Sequence, residues 1–156
     1  MAEVRLRAMT RAEFPAWRDA QIEGYAEDLL RNGRVSASLA PERDRTSFES
    51  ALPDELDTPG HAVWIGEDPA TGEEIGCLWL GPGEDPSVAW VFTVEVWEPF
   101  RGNGYGTALM QAFEEEARAR GFAAVGLNVF AHNTVARHLY ESLGYDEIAR
   151  QMTKKL

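Results

Sequence analysis

One strand in this chain carries almost no charge, and it runs directly into a glycine-rich turn and a helix. Ser87 to Trp97 reads SVAWVFTVEVW, and Glu95 is its one charged residue. A run of β-branched and aromatic residues this apolar reads as a central strand, covered on both faces. The turn that follows, PFRGNGYG, places glycine at 102, 104 and 106. Leu109, Met110, Phe113 and Ala117 then recur at helical spacing, with Glu114, Glu115, Glu116, Arg118 and Arg120 on the polar side. The spacing predicts a helix from Gly104 to Arg120, closed by Gly121. Ala123 to Phe130 (AAVGLNVF) is the next strand. Strand, helix, strand implies a parallel pair joined by a right-handed crossover.

The rest of the chain surrounds that unit. Val4 to Met9 alternates as a first strand. Thr10 and Glu13 have capping-box spacing ahead of Phe14, Trp17, Gln21, Tyr25 and Leu29. Pro15 confines the regular helix to a start near Phe14, and Asn32-Gly33 is its expected stop. Pro41 opens a second helix ending near Leu52. His61 to Gly66 and Ile75 to Leu80 form a hairpin around DPATGEE. Asn133 caps a short helix with Val135, Ala136, Leu139, Tyr140 and Leu143 on one side, ended by Gly144. The alternating tail YDEIARQMTKKL reads as a last strand. The order β-α-α-β-β-β-α-β-α-β describes a mixed α/β (α+β) sheet with helices on both faces. With 156 residues and no internal repeat, residues 1–156 form a single domain.

Charge narrows the partners. The net charge is −11, and no basic patch is available to release counterions from a nucleic-acid backbone, so nucleic acid is excluded as a partner. The acidity serves solubility and would attract a cationic amine. No apolar run has membrane-spanning length and MAEVRLRAM lacks a signal peptide's apolar segment, so no membrane partner and a cytoplasmic location are expected. Cys77, in IGCLWL, reads as a small buried hydrophobe rather than a nucleophile.

The glycine turn has a physical use. The first N–H groups of a helix lack partners, and the aligned peptide dipoles make that end partly positive. Glycines let the backbone approach a ligand, so strand, turn and helix start form an anion site, with Arg101 adding charge suited to phosphate. A P-loop needs Gly-Lys-Ser/Thr, and no lysine precedes Lys154. A dinucleotide fingerprint needs glycine at 107, where Thr107 stands. A purely structural tight turn is the alternative at this point.

A second segment, Asn133 to Tyr145 (NTVARHLYESLGY), bears on the choice. Together with Arg101-Gly102-Asn103-Gly104-Tyr105-Gly106 it resembles the GNAT superfamily of acetyl-CoA-dependent N-acetyltransferases. The matching features are the Arg-x-x-Gly-x-Gly loop, then Asn133, Ala136, Tyr140 and Leu143-Gly144-Tyr145 in order. The resemblance implies acetyl transfer to a primary amine of unidentified identity, by direct attack. It implies that amides from Arg101 to Gly106 hold the CoA pyrophosphate, with Thr107 adding its hydroxyl. Val94 and Val96 would pair with the pantetheine arm, the Val94 N–H polarising the thioester. Asn133 and Ala136 would contact the cofactor, Asn133 doubling as a helix cap. Tyr140 would protonate the leaving thiolate, or else be a core tyrosine.

The base is less well marked. Several relatives place a glutamate where this chain has Asn128, which cannot serve as one but can hold water or substrate. Glu95 is the candidate, directly or through water, with a partnered strand residue as its alternative; Glu98 is weaker. Trp17, Tyr25 and the turn from Arg31 to Ala40 lie where the family's helix pair closes over the acceptor. Trp64, Trp79, Trp90 and Trp97 read as core or cleft lining. His61 reads as a surface or partly buried residue, and His132 and His138 match no metal site, so no metal is expected. A homodimer is compatible with the family. The competing reading is a catalytically silent acyl-CoA-binding module.

Overall fold

The sheet is laid down in chain order. Strands β1 (Arg5–Ala8), β2 (Ala62–Glu67), β3 (Glu74–Pro82), β4 (Val88–Val96) and β5 (Ala124–Leu127) are neighbours in that sequence. The first three pairings are antiparallel, and β4 with β5 is parallel. The computed structural model describes residues 2–31 and 40–156. The expected helix stop at Asn32-Gly33 and the turn leading to Ala40 lie outside the described residues.

Helices α1 (Phe14–Arg31) and α2 (Ala40–Ala51) cover one face. Before α1, the Thr10 N–H donates to Glu13 Oε2 at 2.8 Å and the Glu13 N–H to Thr10 Oγ1 at 3.3 Å, closing the expected capping box. Phe14, Trp17, Ile22, Phe48, Leu52, Val63, Ile65, Cys77 and Trp79 pack together beneath these helices. The buried stripe of α1 runs through Phe14, Trp17, Ile22, Ala26 and Leu29, so Gln21 and Tyr25 sit at its border rather than within it.

Helix α3 (Tyr105–Ala119) covers the opposite face and supplies the crossover from β4 to β5. Leu109, Met110 and Phe113 are wholly buried against Ile75, Leu78 and Leu80, each side chain contributing about 1.5–3 kcal/mol by its burial. Helix α4 (Thr134–Ser142) lays Leu139 and Tyr140 against the same cluster.

The last expected strand is not formed. Residues 146–156 have no regular structure and pair with no strand among the described residues. The reason is in the pattern: a strand that put Ile148 and Met152 on one face would put Arg150 and Lys154 there too. That face has nothing to bury, and Ile148 and Met152 are both exposed. The mixed sheet with helices on both faces stands without it. No helix among the described residues is long and apolar enough to cross a membrane.

Candidate active site

The parallel pair opens partway along. Val88 to Val91 on β4 face Ala124 to Leu127 on β5, and the ladder ends there. At that point β4 also changes register with β3: Trp79 opposes Thr93, but Leu80 opposes Val91. Phe92 is therefore an extra residue, a β-bulge, and such bulges bend a strand and interrupt pairing. Beyond it, the edge of β4 from Thr93 to Val96 is unmatched by β5. The expected strand to Phe130 stops at Leu127, and Asn128, Val129 and Phe130 leave the sheet.

Backbone parity identifies the groups facing this gap. The Trp97 N–H donates to Ile75 on β3 at 2.9 Å. Alternate residues point to alternate edges, so the N–H groups of Val94 and Val96 face away from β3, into the gap. The Val96 carbonyl faces the same way and accepts from Arg101 Nε at 2.8 Å. The Val94 and Val96 side chains pack on the α3 side.

The glycine turn continues that line. Gly102 and Gly104 have φ of 78° and 85°, a left-handed conformation that glycine adopts without strain. Asn103 Nδ2 donates to the carbonyls of Phe100 and Arg101, each at 3.1 Å, which pins the loop. The N–H groups of residues 102–107 have no acceptor among the described residues. With Gly104 as N-cap, they form a run of available donors at the positive end of α3. This donor set fits a pyrophosphate. The Tyr105 ring points elsewhere, its hydroxyl donating to Asp68; Thr107 is half-buried in the first turn of α3.

Helix α4 closes the α3 side. Asn133 Oδ1 accepts from the Ala136 N–H at 3.3 Å, the expected cap. Leu139 lies over Gly106: an added Cβ there would come within 3.1 Å of Leu139 Cδ2. Tyr140 is largely buried and its hydroxyl has no hydrogen bond among the described residues. Burial pushes that hydroxyl above the ordinary phenol range.

The opposite face of β4 holds a polar cluster. Gln21 Nε2 donates to Glu95 Oε2 at 3.3 Å, and Thr93 Oγ1 donates to Gln21 Oε1 at 2.8 Å. The Cys77 thiol lies 4.0 Å from the same Glu95 oxygen. Burial first, and Glu95 second, push that thiol up to about 12, so Cys77 stays protonated. Trp17 is buried beside Trp79 and Phe48. Tyr25 is exposed, its ring 6.2 Å from that of Phe130. His132 stacks on Phe130 and pairs with Asp28 at 3.2 Å, so the loop after β5 meets α1 across the gap. Asn128 is exposed in that loop. His61 accepts from Trp79 Nε1 at 2.9 Å, and burial lowers its pKa. Gln21, Thr93 and the Phe92 bulge were not among the expected site residues. A glutamine within the otherwise apolar spacing of α1 was the one visible signal.

These features belong to a family. A family model described as the Acetyltransferase (GNAT) family matches residues 15–145, and the chain belongs to that family. It is similar to the uncharacterized N-acetyltransferase YdgE of Bacillus subtilis, 32% identical over 154 residues, covering 97% of each chain. It is equally similar to YycN of that organism, 32% identical over 158 residues. The crystal structure of YycN matches 98% of both chains with a TM-score of 0.91. AAC(6')-Iy, solved with a CoA-linked bisubstrate analog, shares the fold at a TM-score of 0.61 and 18% identity.

Proposed function

We propose that this protein transfers an acetyl group from acetyl-CoA to a primary amine by direct attack. The observation that carries the reading is continuity: the gap-facing edge of β4 at Val94 and Val96 leads straight into the unpartnered amides of residues 102–107. One side of that line suits an extended amide-bearing arm, and its end suits a pyrophosphate.

In this reading Arg101, Gly102, Asn103, Gly104, Tyr105, Gly106 and Thr107 hold the pyrophosphate. Residues 102–107 contribute through backbone N–H groups and Thr107 also through its hydroxyl; Arg101, whose N–H is donated to the Glu98 carbonyl, contributes through its side chain. Val94 and Val96 pair with the pantetheine arm, and Asn133 and Ala136 border it from α4. The amine nitrogen attacks the thioester carbon, and the Val94 N–H stabilises the oxyanion. The C–S bond breaks, and the sulfur takes the Tyr140 proton. The proton lost by the amine goes to Glu95, directly or through water. Tyr25 and Asn128 border the acceptor side, whereas Trp17, which the sequence also suggested, packs in the core among Phe14, Phe48 and Trp79. Holding both reactants in one cleft supplies much of the rate.

The test is thiol release from acetyl-CoA across an amine library. Turnover with at least one amine, lost in Tyr140→Phe, supports the enzyme. Tight CoA binding with no turnover across the panel would instead support a silent acyl-CoA-binding module, the reading that Asn128 in place of a carboxylate favours.

A further inference from the structure

We propose that Gln21, oriented by Thr93, is the positioning residue for Glu95. The inference rests on the reading of Glu95 as the base. It starts from where the three side chains come from. Thr93 and Glu95 are two apart on β4 and so share a face, while Gln21 reaches them from α1. An amide has one acceptor end and one donor end. The Thr93 hydroxyl, donating at 2.8 Å, occupies the acceptor end. A carboxylate only accepts, so Glu95 Oε2 takes the amide's donor end at 3.3 Å, and the Thr93 hydroxyl, bonded to the other end, holds the amide in that orientation.

The consequence falls on the two carboxylate oxygens unequally. Oε2 receives Gln21 and has the Cys77 thiol 4.0 Å away. Oε1 has no protein donor among the described residues. Gln21 thus commits one oxygen to the fold and leaves the other for the incoming amine or its water. Glutamine neither ionises nor accepts the reacting proton, so it orders the base without competing with it. Thr93 acts one step further out, through Gln21.

The arrangement predicts a specific kinetic pattern. Gln21→Leu removes the donor and lowers kcat about tenfold, as expected for a lost hydrogen bond to a charged group, with KM for acetyl-CoA unchanged. Thr93→Val lowers kcat about threefold and Thr93→Ser restores it, because serine keeps the hydroxyl. Combining Gln21→Leu with Thr93→Val is no worse than Gln21→Leu alone, since both act by one route.

The controls separate this proposal from the one beneath it. If Glu95→Gln turns over at the wild-type rate, the base reading fails and Gln21 loses its role with it. If Glu95→Gln loses activity but Gln21→Leu and Thr93→Val keep the wild-type kcat, the positioning proposal alone is overturned. In the Glu95→Gln background, Gln21→Leu is expected to have no further effect; a further tenfold loss there would overturn it too. Thermal melting and acetyl-CoA titration establish that each variant is folded, and Thr93→Val supplies the test if Gln21→Leu is not.

Discussion

Arg101 reaches back over its own turn and donates Nε to the carbonyl of Val96 at 2.8 Å. One guanidinium edge is thereby tied to the strand, and its Nη groups have no acceptor among the described residues. An arginine anchored in this way presents a fixed fork to phosphate, which a lysine cannot imitate. Arg101→Ala is expected to raise KM for acetyl-CoA about tenfold, roughly 1.4 kcal/mol of binding, with kcat nearly unchanged. Arg101→Lys is expected to recover less than half of that on a free-energy scale. Steady-state titration of acetyl-CoA checks both; an unaltered KM in Arg101→Ala would remove the arginine from the site.

Gly104 tests the turn itself. Its φ is 85°, and an added Cβ would lie 3.6 Å from the Ala2 methyl, an ordinary contact. Space is therefore available, and the cost of a side chain is conformational, about 1–2 kcal/mol for a left-handed residue. Gly104→Ala is expected to lower Tm by a few degrees, since about 1 kcal/mol corresponds to about 2–4 °C at this chain length. Acetyl-CoA affinity should fall with it, because relieving the strain turns the amides away from a common point. Calorimetric melting with and without acetyl-CoA measures the two effects separately.

How far the residues announce this site depends on what each feature needs. The turn was legible because left-handed φ at 102 and 104 is a property of glycine itself. Helix α3 and its cap were legible because Leu109, Met110, Phe113 and Ala117 keep the helical interval. The gap was not, because Asn128-Val129-Phe130 is as strand-like as the residues before it. Strand β5 ends at Leu127, whose partner Val91 adjoins the Phe92 bulge on a different strand, a matter of pairing rather than of local preference. Gln21 was hidden for a related reason. Helix α1 rotates to bury Ile22 and Ala26, which turns Gln21 out of the core and onto Glu95. In the tail, alternation was present without an apolar face, and alternation alone does not make a strand.

The N-terminal cap carries an acid-sensitive share of stability. Arg7, hydrogen-bonded to Glu13 and paired also with Glu67 and Glu74, holds the Glu13 carboxyl at about 2. A carboxyl depressed in the folded state stabilises the fold above its unfolded value, near ~4.3. That contribution is lost as pH falls from there through about 2. Glu13→Gln is therefore expected to lower Tm by a few degrees at neutral pH, with the difference from wild type shrinking progressively below pH ~4.3. Melting curves across the acid range would reveal it. Because glutamine keeps the capping acceptor, a difference independent of pH would show that the lost carboxylate charge is not its cause.

Tyr140 is the sharpest test of the chemistry. It is largely buried against the α3 face with its hydroxyl unpartnered among the described residues, and burial raises its pKa above the ordinary phenol value of ~10. The protonated form therefore persists through the whole neutral range, the condition for a group that donates a proton to a departing thiolate. Tyr140→Phe keeps the ring and its packing with Leu139 and Leu143, and loses only the oxygen. It is expected to leave Tm and KM for acetyl-CoA unchanged while lowering kcat about a hundredfold, the low end for general acid catalysis. In the wild type, any alkaline limb due to Tyr140 should fall above pH ~10, because deprotonation is what abolishes the acid. A Tyr140→Phe enzyme with wild-type kcat would return Tyr140 to the core and leave the thiolate to be protonated by water.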